Sequence, residues 1–272
     1  MSANNDVQPH ALVTGASSGL GAAFAERLAQ DGYSLTIVAR RRDRLESLAE
    51  QLQAQHHAQV DVISADLSKP DELLTIEKHI TDSNDLELLV NNAGFGGYMP
   101  FVELDSDRAM ELINLKVLAV TRLTRAALPG MLARGRGSIV NVSSRLAFSA
   151  PLGLTQLPKR AVYVGANAFI NNFSQLLQSE LEGTGVQVQA LCPGVIETEF
   201  HERVGADPSR FPAAIVMKPE EVVQASLTGL KLGEVICVPA LEDVDLLVQT
   251  QESQKRFFES SRTGTLAARY KP

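Results

Sequence analysis

The sequence predicts an α/β fold: one doubly wound parallel sheet of about seven strands, with helices on both faces. Three observations lead there. Apolar runs of strand length alternate with longer segments of helical periodicity. The strands read as nearly continuous apolar runs, as strands buried on both faces do. No linker-like or low-complexity break interrupts the pattern after residue 8. Right-handed crossovers then wind the sheet both ways and put ligands beyond the carboxyl ends of its strands.

In chain order, His10–Thr14 is the first strand, and Leu20–Asp31 follows as a helix with Leu20, Phe24, Ala25, Leu28 and Ala29 at helical spacing. Tyr33–Ala39 is the second strand, and Arg42–Gln55 is a helix with Leu45, Leu48, Ala49 and Leu52 on one face. Further strands are Val60–Ser64, Leu86–Val90, Ser138–Val142, Val186–Leu191 and Val235–Val238. The helices between them are Pro70–Thr81, Asp105–Ala133, Tyr163–Glu182 and Pro219–Leu232. The organisation expected is a tail over residues 1–8, one domain over 9–240 and a C-terminal helical extension over 241–272. Within the domain, residues 199–218 hold Gly205, Pro208 and Pro212 and read as an irregular substrate lid.

Bulk properties exclude several classes. A formal net charge of -7 argues against nucleic acid as a partner. No apolar run approaches the roughly 18 residues a membrane span needs. The N-terminus lacks the basic and apolar regions of a signal peptide, so a cytoplasmic protein is expected. Cys192 and Cys237 both sit in apolar, strand-like runs and read as buried small hydrophobes. The histidines show no metal-ligand spacing, so no metal is expected.

Thr14-Gly-Ala-Ser-Ser-Gly-Leu-Gly21 joins the first strand to the first helix. Glycines at 15, 19 and 21 let the backbone turn sharply and approach a phosphate. The helix N-terminus adds unpaired N–H groups and a partial positive charge. Further along come Ala65-Asp66-Leu67, Asn91-Asn-Ala-Gly94, Asn114 in a long helix, Ile139-Val-Asn-Val-Ser-Ser144, Tyr163, and Pro193-Gly-Val-Ile-Glu-Thr198. With this ordered set the chain resembles the short-chain dehydrogenase/reductase family over roughly residues 10–240. The resemblance implies a Rossmann fold and a nicotinamide dinucleotide cofactor. It puts Gly15, Ser17, Ser18, Gly19, Leu20 and Gly21 at the pyrophosphate, and Asp66 and Leu67 at the adenine. Asn92, Ala93 and Gly94 would line the adenosine ribose region, and Pro193, Gly194, Ile196 and Thr198 would hold the nicotinamide carboxamide. A homodimer or homotetramer acting on a small molecule is also implied.

The cofactor's phosphate state follows from charge. A fold selecting NAD usually places a carboxylate about 20 residues past the glycines for the ribose 2′-OH. Here the second strand runs into Ala39-Arg40-Arg41-Arg42, with no acid before Asp43. Guanidinium forks match a 2′-phosphate and cations disfavour a helix N-terminus, so NADP(H) is expected over NAD(H), held by Arg40 and Arg41.

In the family, a tyrosine exchanges a proton with the substrate oxygen and a serine orients that oxygen. A lysine four residues after the tyrosine binds the nicotinamide ribose and lowers the tyrosine's pKa, and a helix asparagine holds a water connected to that lysine. Tyr163, Ser144 and Asn114 match three of these parts; Asn167 stands where the lysine belongs. An ammonium about 4 Å from the phenol is worth roughly 4 kcal/mol at an effective dielectric of 20, about a thousandfold in the ionisation equilibrium. Without it, alcohol oxidation should suffer more than carbonyl reduction, for which a neutral tyrosine is the required acid.

Ser144 and Tyr163 are 19 positions apart, more than the family commonly has, which reads as an insertion around residues 149–156 at the substrate mouth. Lys159 and Arg160 at its end are candidates to replace the missing charge. Phe200, Phe211, Ile215, Val216 and Met217 suggest an apolar substrate or internal packing. The function expected is an NADP(H)-dependent carbonyl/alcohol oxidoreductase favouring reduction. The alternative is a weakened or inactive dinucleotide-binding relative that acts as a sensor or partner subunit.

Overall fold

The computed structural model describes residues 8–83, 85–96, 99–152, 160–199 and 211–271. Seven strands form one parallel sheet: β1 (His10–Thr14), β2 (Ser34–Ala39), β3 (Val60–Ser64), β4 (Leu86–Asn91), β5 (Gly137–Val142), β6 (Val186–Leu191) and the short β9 (Ile236–Cys237). Their order is β3-β2-β1-β4-β5-β6-β9. β7 (Val195–Ile196) and β8 (Val216–Met217) pair as a separate two-stranded ribbon. The strand order reverses at β1, whose two neighbours are β2 and β4, and a crevice for ligands opens at such a point.

Helices α1 (Gly19–Gln30), α2 (Arg42–His56) and α7 (Pro219–Leu232) bury one apolar cluster that includes Phe24, Leu28, Leu45, Leu52 and Val222. On the other cluster lie α3 (Pro70–Asp82), α4 (Ser106–Ile113), α5 (Val120–Arg134) and α6 (Ala161–Glu180), with Leu73, Ile76, Leu112, Leu123 and Leu177 buried. Between the two, the central strands are shut off from water, as their unbroken apolar runs require. Polar side chains there form a short chain: Asn91 Nδ2 donates to Asn141 Oδ1 at 2.9 Å, and Asn141 Nδ2 to Ser174 Oγ at 3.1 Å.

The helix expected over 105–133 differs in its middle. Asn114–Ala119 is a π-helical segment between α4 and α5. A widened turn of this kind changes which side chains share a face, and such turns are common at functional sites.

The chain separates into two compact units, one ending at Pro239 and the other spanning Ala240–Pro272. The second contains α8 (Asp245–Ser261), which buries none of its side chains, and a 3-10 turn at Ala268–Tyr270. Much of the expected lid (200–210), residues 153–156 of the mouth insertion, residues 157–159 after it and residues 1–7 of the tail lie outside the described residues.

Candidate active site

A cavity of about 830 Å³ opens at the carboxyl ends of the strands. Except for Gly21, every cofactor-contact residue expected from the sequence lines it. The glycine-rich turn is shaped from within. A side chain on Gly21 would run into the Gly15 carbonyl, and one on Gly19, where φ is +57°, would approach Thr198 Cγ2 to 2.9 Å. Asn92 locks the turn to β4, its Nδ2 donating to the Thr14 carbonyl at 2.9 Å. Thr14 Oγ1 accepts from the backbone N–H groups of Asn92 (2.9 Å) and Ala93 (3.1 Å). Asp66 Oδ1 accepts from the Ser68 N–H (3.0 Å) and hydroxyl (2.7 Å), which fixes the loop that follows β3.

Arg41, the residue preceding α2, turns away from that helix and braces the glycine-rich turn. Its guanidinium donates to Ser17 Oγ (2.9 Å), the Ser17 carbonyl (3.2 Å) and Ser18 Oγ (2.9 Å). Arg40 is more exposed, 3.2 Å from Glu111 and 3.9 Å from Asp66. In a chain of net charge -7, five cationic side chains line the cavity (Arg40, Arg41, Lys116, Arg145 and Arg160) against one carboxylate, Asp66. That balance fits a ligand carrying several phosphate charges.

At the other end, Ser144 and Tyr163 both line the cavity and both are buried. Ser144 Oγ accepts from the Leu146 N–H at 3.2 Å, so its own proton can be directed elsewhere. Ser143 Oγ instead donates to the Asn167 carbonyl at 3.0 Å. Arg160 caps the start of α6, lines the cavity and donates to Ser149 Oγ at 3.3 Å. Lys159, the other candidate for a replacement charge, lies outside the described residues. Phe95, Leu146, Phe211 and Ile215 add an apolar wall, while Val216 and Met217 are taken up in β8. Phe200 is outside the described residues.

Besides Gly21, two expected site residues do not line the cavity. Asn114, at the start of the π-helical segment, donates through Nδ2 to the Ser68 carbonyl at 3.3 Å. Asn167 is fully buried and bonds back to its own helix, Nδ2 to the Tyr163 carbonyl at 2.8 Å. Its side chain is short enough to favour that local bond over anything across the cleft.

The residue that reading the sequence missed is Lys116. It is 4% exposed, lines the cavity and donates from Nζ to the Val142 carbonyl at 2.9 Å. Its stem lies across Gly94: a side chain there would come within 2.5 Å of Lys116 Cε and 3.1 Å of Nζ. Burial holds its ammonium down at about 8. A signal was available, because Lys116 falls four residues after Leu112 and four before Val120, on the helix face that is buried. Cys192 and Cys237 are buried free thiols, and burial pushes each up to about 12. No group of metal-ligating side chains occurs among the described residues.

Fold, glycine-rich turn and the serine–tyrosine pair together define a nicotinamide-dependent oxidoreductase. The chain belongs to the short chain dehydrogenase family, whose model matches residues 9–209. It is similar to a short-chain dehydrogenase from Sphingobium yanoikuyae solved in complex with NADPH, with 33% identity, 97% of this chain and 100% of that one covered, and a TM-score of 0.90. It is also similar to the bulky-bulky ketone specific alcohol dehydrogenase from Comamonas testosteroni, with 33% identity, coverage of 97% and 99%, and a TM-score of 0.86. Among curated relatives, a very-long-chain 3-oxoacyl-CoA reductase from Phaeosphaeria nodorum is 33% identical over 225 residues, 81% of this chain and 62% of that protein. The protein is therefore an oxidoreductase that uses a nicotinamide cofactor.

Proposed function

We propose that the protein is an NADPH-dependent reductase of ketones whose carbonyl carries two bulky, apolar substituents. The observation that carries this reading is that one cavity is basic where Arg40 and Arg41 stand and apolar around Phe95, Leu146, Phe211 and Ile215, with Ser144 and Tyr163 on its wall. Arg41, whose guanidinium meets Ser17, Ser18 and, at 3.3 Å, Glu199, supports a 2′-phosphate as ligand, because its planar fork matches phosphate geometry. The names of the Comamonas and Phaeosphaeria relatives, a ketone-specific dehydrogenase and an oxoacyl reductase, support the same chemistry.

The cofactor, when bound, supplies the hydride. The chain's own residues handle position and proton. Ser144 donates a hydrogen bond to the carbonyl oxygen and holds it toward Tyr163. The Tyr163 phenol gives its proton to that oxygen as the carbon is reduced, leaving an alcohol and a phenolate. Burial of the pair keeps bulk water from competing for the oxygen.

The test is consumption of NADPH and of NADH against ketones graded in size. The reading expects kcat/KM to rise from propanone to ketones with two aryl or long alkyl groups, with NADPH preferred at least tenfold. Preference for NADH, or for the smallest ketones, would overturn it.

A further inference from the structure

Family resemblance places the active-site cation on the same helix as the tyrosine, and in this chain Asn167 holds that position. The structure puts a buried cation in the cleft from a different element. We propose that Lys116, entering from the π-helical segment before α5, is the positioning residue that stabilises the Tyr163 phenolate and holds the nicotinamide ribose, so that lysine and asparagine have exchanged helices. The proposal rests on the functional reading above.

Four observations carry it. Lys116 and Tyr163 line the same cavity, and Lys116 is seated between Gly94 at the end of β4 and the Val142 carbonyl at the end of β5. Its one hydrogen bond to the described residues leaves two ammonium protons to direct elsewhere. Among the described residues no carboxylate offsets its charge; the group that acts on it is the thiol of Cys192, which burial keeps neutral. A buried ammonium without a counter-ion is unfavourable for folding alone, and such a group is retained where it has work in the site. Finally, Asn167 is committed elsewhere: Nδ2 to the Tyr163 carbonyl, its own carbonyl to Ser143, and Oδ1 without a hydrogen-bond partner among the described residues.

Among the described residues, the remaining titratable or permanently charged groups along this part of the cleft are Tyr163 itself and the guanidinium groups of Arg145 and Arg160. Arg160 is the rival source of charge. It lines the same cavity and is also buried, bonded to Ser149 from the inserted segment, whereas Lys116 reaches the cleft beside Gly94 and the end of β5.

The chain has four tyrosines and no tryptophan, so phenol ionisation can be followed by ultraviolet difference spectra without cofactor or substrate. The expected result is one phenol that ionises at least one pH unit lower in the wild type than in Lys116→Met and is missing from Tyr163→Phe. Ionisation of Tyr163 at the same pH in wild type and Lys116→Met would overturn the proposal, as would a larger displacement in Arg160→Ala. A second arm uses ketone turnover: Lys116→Asn should lose at least tenfold in kcat/KM, and Lys116→Asn with Asn167→Lys should recover most of it. A double variant as slow as the single one would also count against the exchange. If no variant turns over any ketone, the functional reading fails, and the titration still decides whether Lys116 acts on Tyr163.

Discussion

A lysine kept for the site rather than for the fold should make the protein less stable than it need be. Lys116→Met keeps the stem's length and removes the buried charge, a near isosteric change. Depression of the ammonium from 10.5 to about 8 corresponds to about 3 kcal/mol of lost solvation. Against this, the Val142 carbonyl loses its donor, which costs about 1–2 kcal/mol. The balance favours the variant by about 1–2 kcal/mol at pH 7, or roughly 2–8 °C in Tm for a chain of this size.

The sign with pH is fixed by the direction of the shift. Below about pH 8 the lysine is charged in both folded and unfolded states, and the whole burial cost is present. Between about 8 and 10.5 the unfolded state binds more protons than the folded one, so wild-type stability rises relative to the variant and the gap closes. Thermal unfolding of cofactor-free wild type and Lys116→Met at several values from pH 6.5 to 10 measures this. A variant less stable than wild type at pH 7, or a stability gain that grows with pH, would refute the reasoning.

Other outcomes follow from the same geometry. Tyr163→Phe should lower kcat by at least about a hundredfold, the lower range for a general acid, while NADPH affinity stays within a few-fold. Arg41→Ala should reduce the preference for NADPH over NADH by about tenfold or more, the worth of one or two charge-assisted bonds to a phosphate. Asn167→Lys alone should not raise kcat/KM, because Lys116 already provides an ammonium; a tenfold gain would show that it does not. Neither cysteine in the native protein should react with a thiol reagent at pH 8, since burial keeps both protonated.

The sheet was legible because its signal is periodic. Six of the seven strands are buried apolar runs or nearly so, the half-exposed edge strand β3 being the exception, and the run predicted over 235–238 shrinks at both ends to Ile236–Cys237. The glycine-rich turn was legible because a strained turn restricts which residues can stand there, as Gly19 at φ +57° illustrates. Lys116 was missed for a local reason. A regular α-helix over 105–133 leaves the facing of Asn114 open to assignment by motif, and the motif drew the eye past Lys116, whose spacing from Leu112 and Val120 does mark the buried face; the π-helical segment lies between those two. Asn167 could be located on its helix from sequence, yet its inward turn onto the Tyr163 carbonyl depends on packing that no pattern of four-residue spacing encodes.

The most direct measurement of the central claim is steady-state oxidation of NADPH by the wild type with a diaryl or long-chain ketone, alongside Tyr163→Phe and Lys116→Met. The account predicts ketone-dependent turnover in the wild type, lost in Tyr163→Phe and displaced to higher pH in Lys116→Met. Tight NADPH binding with no ketone consumed, or equal turnover in all three proteins, would contradict it.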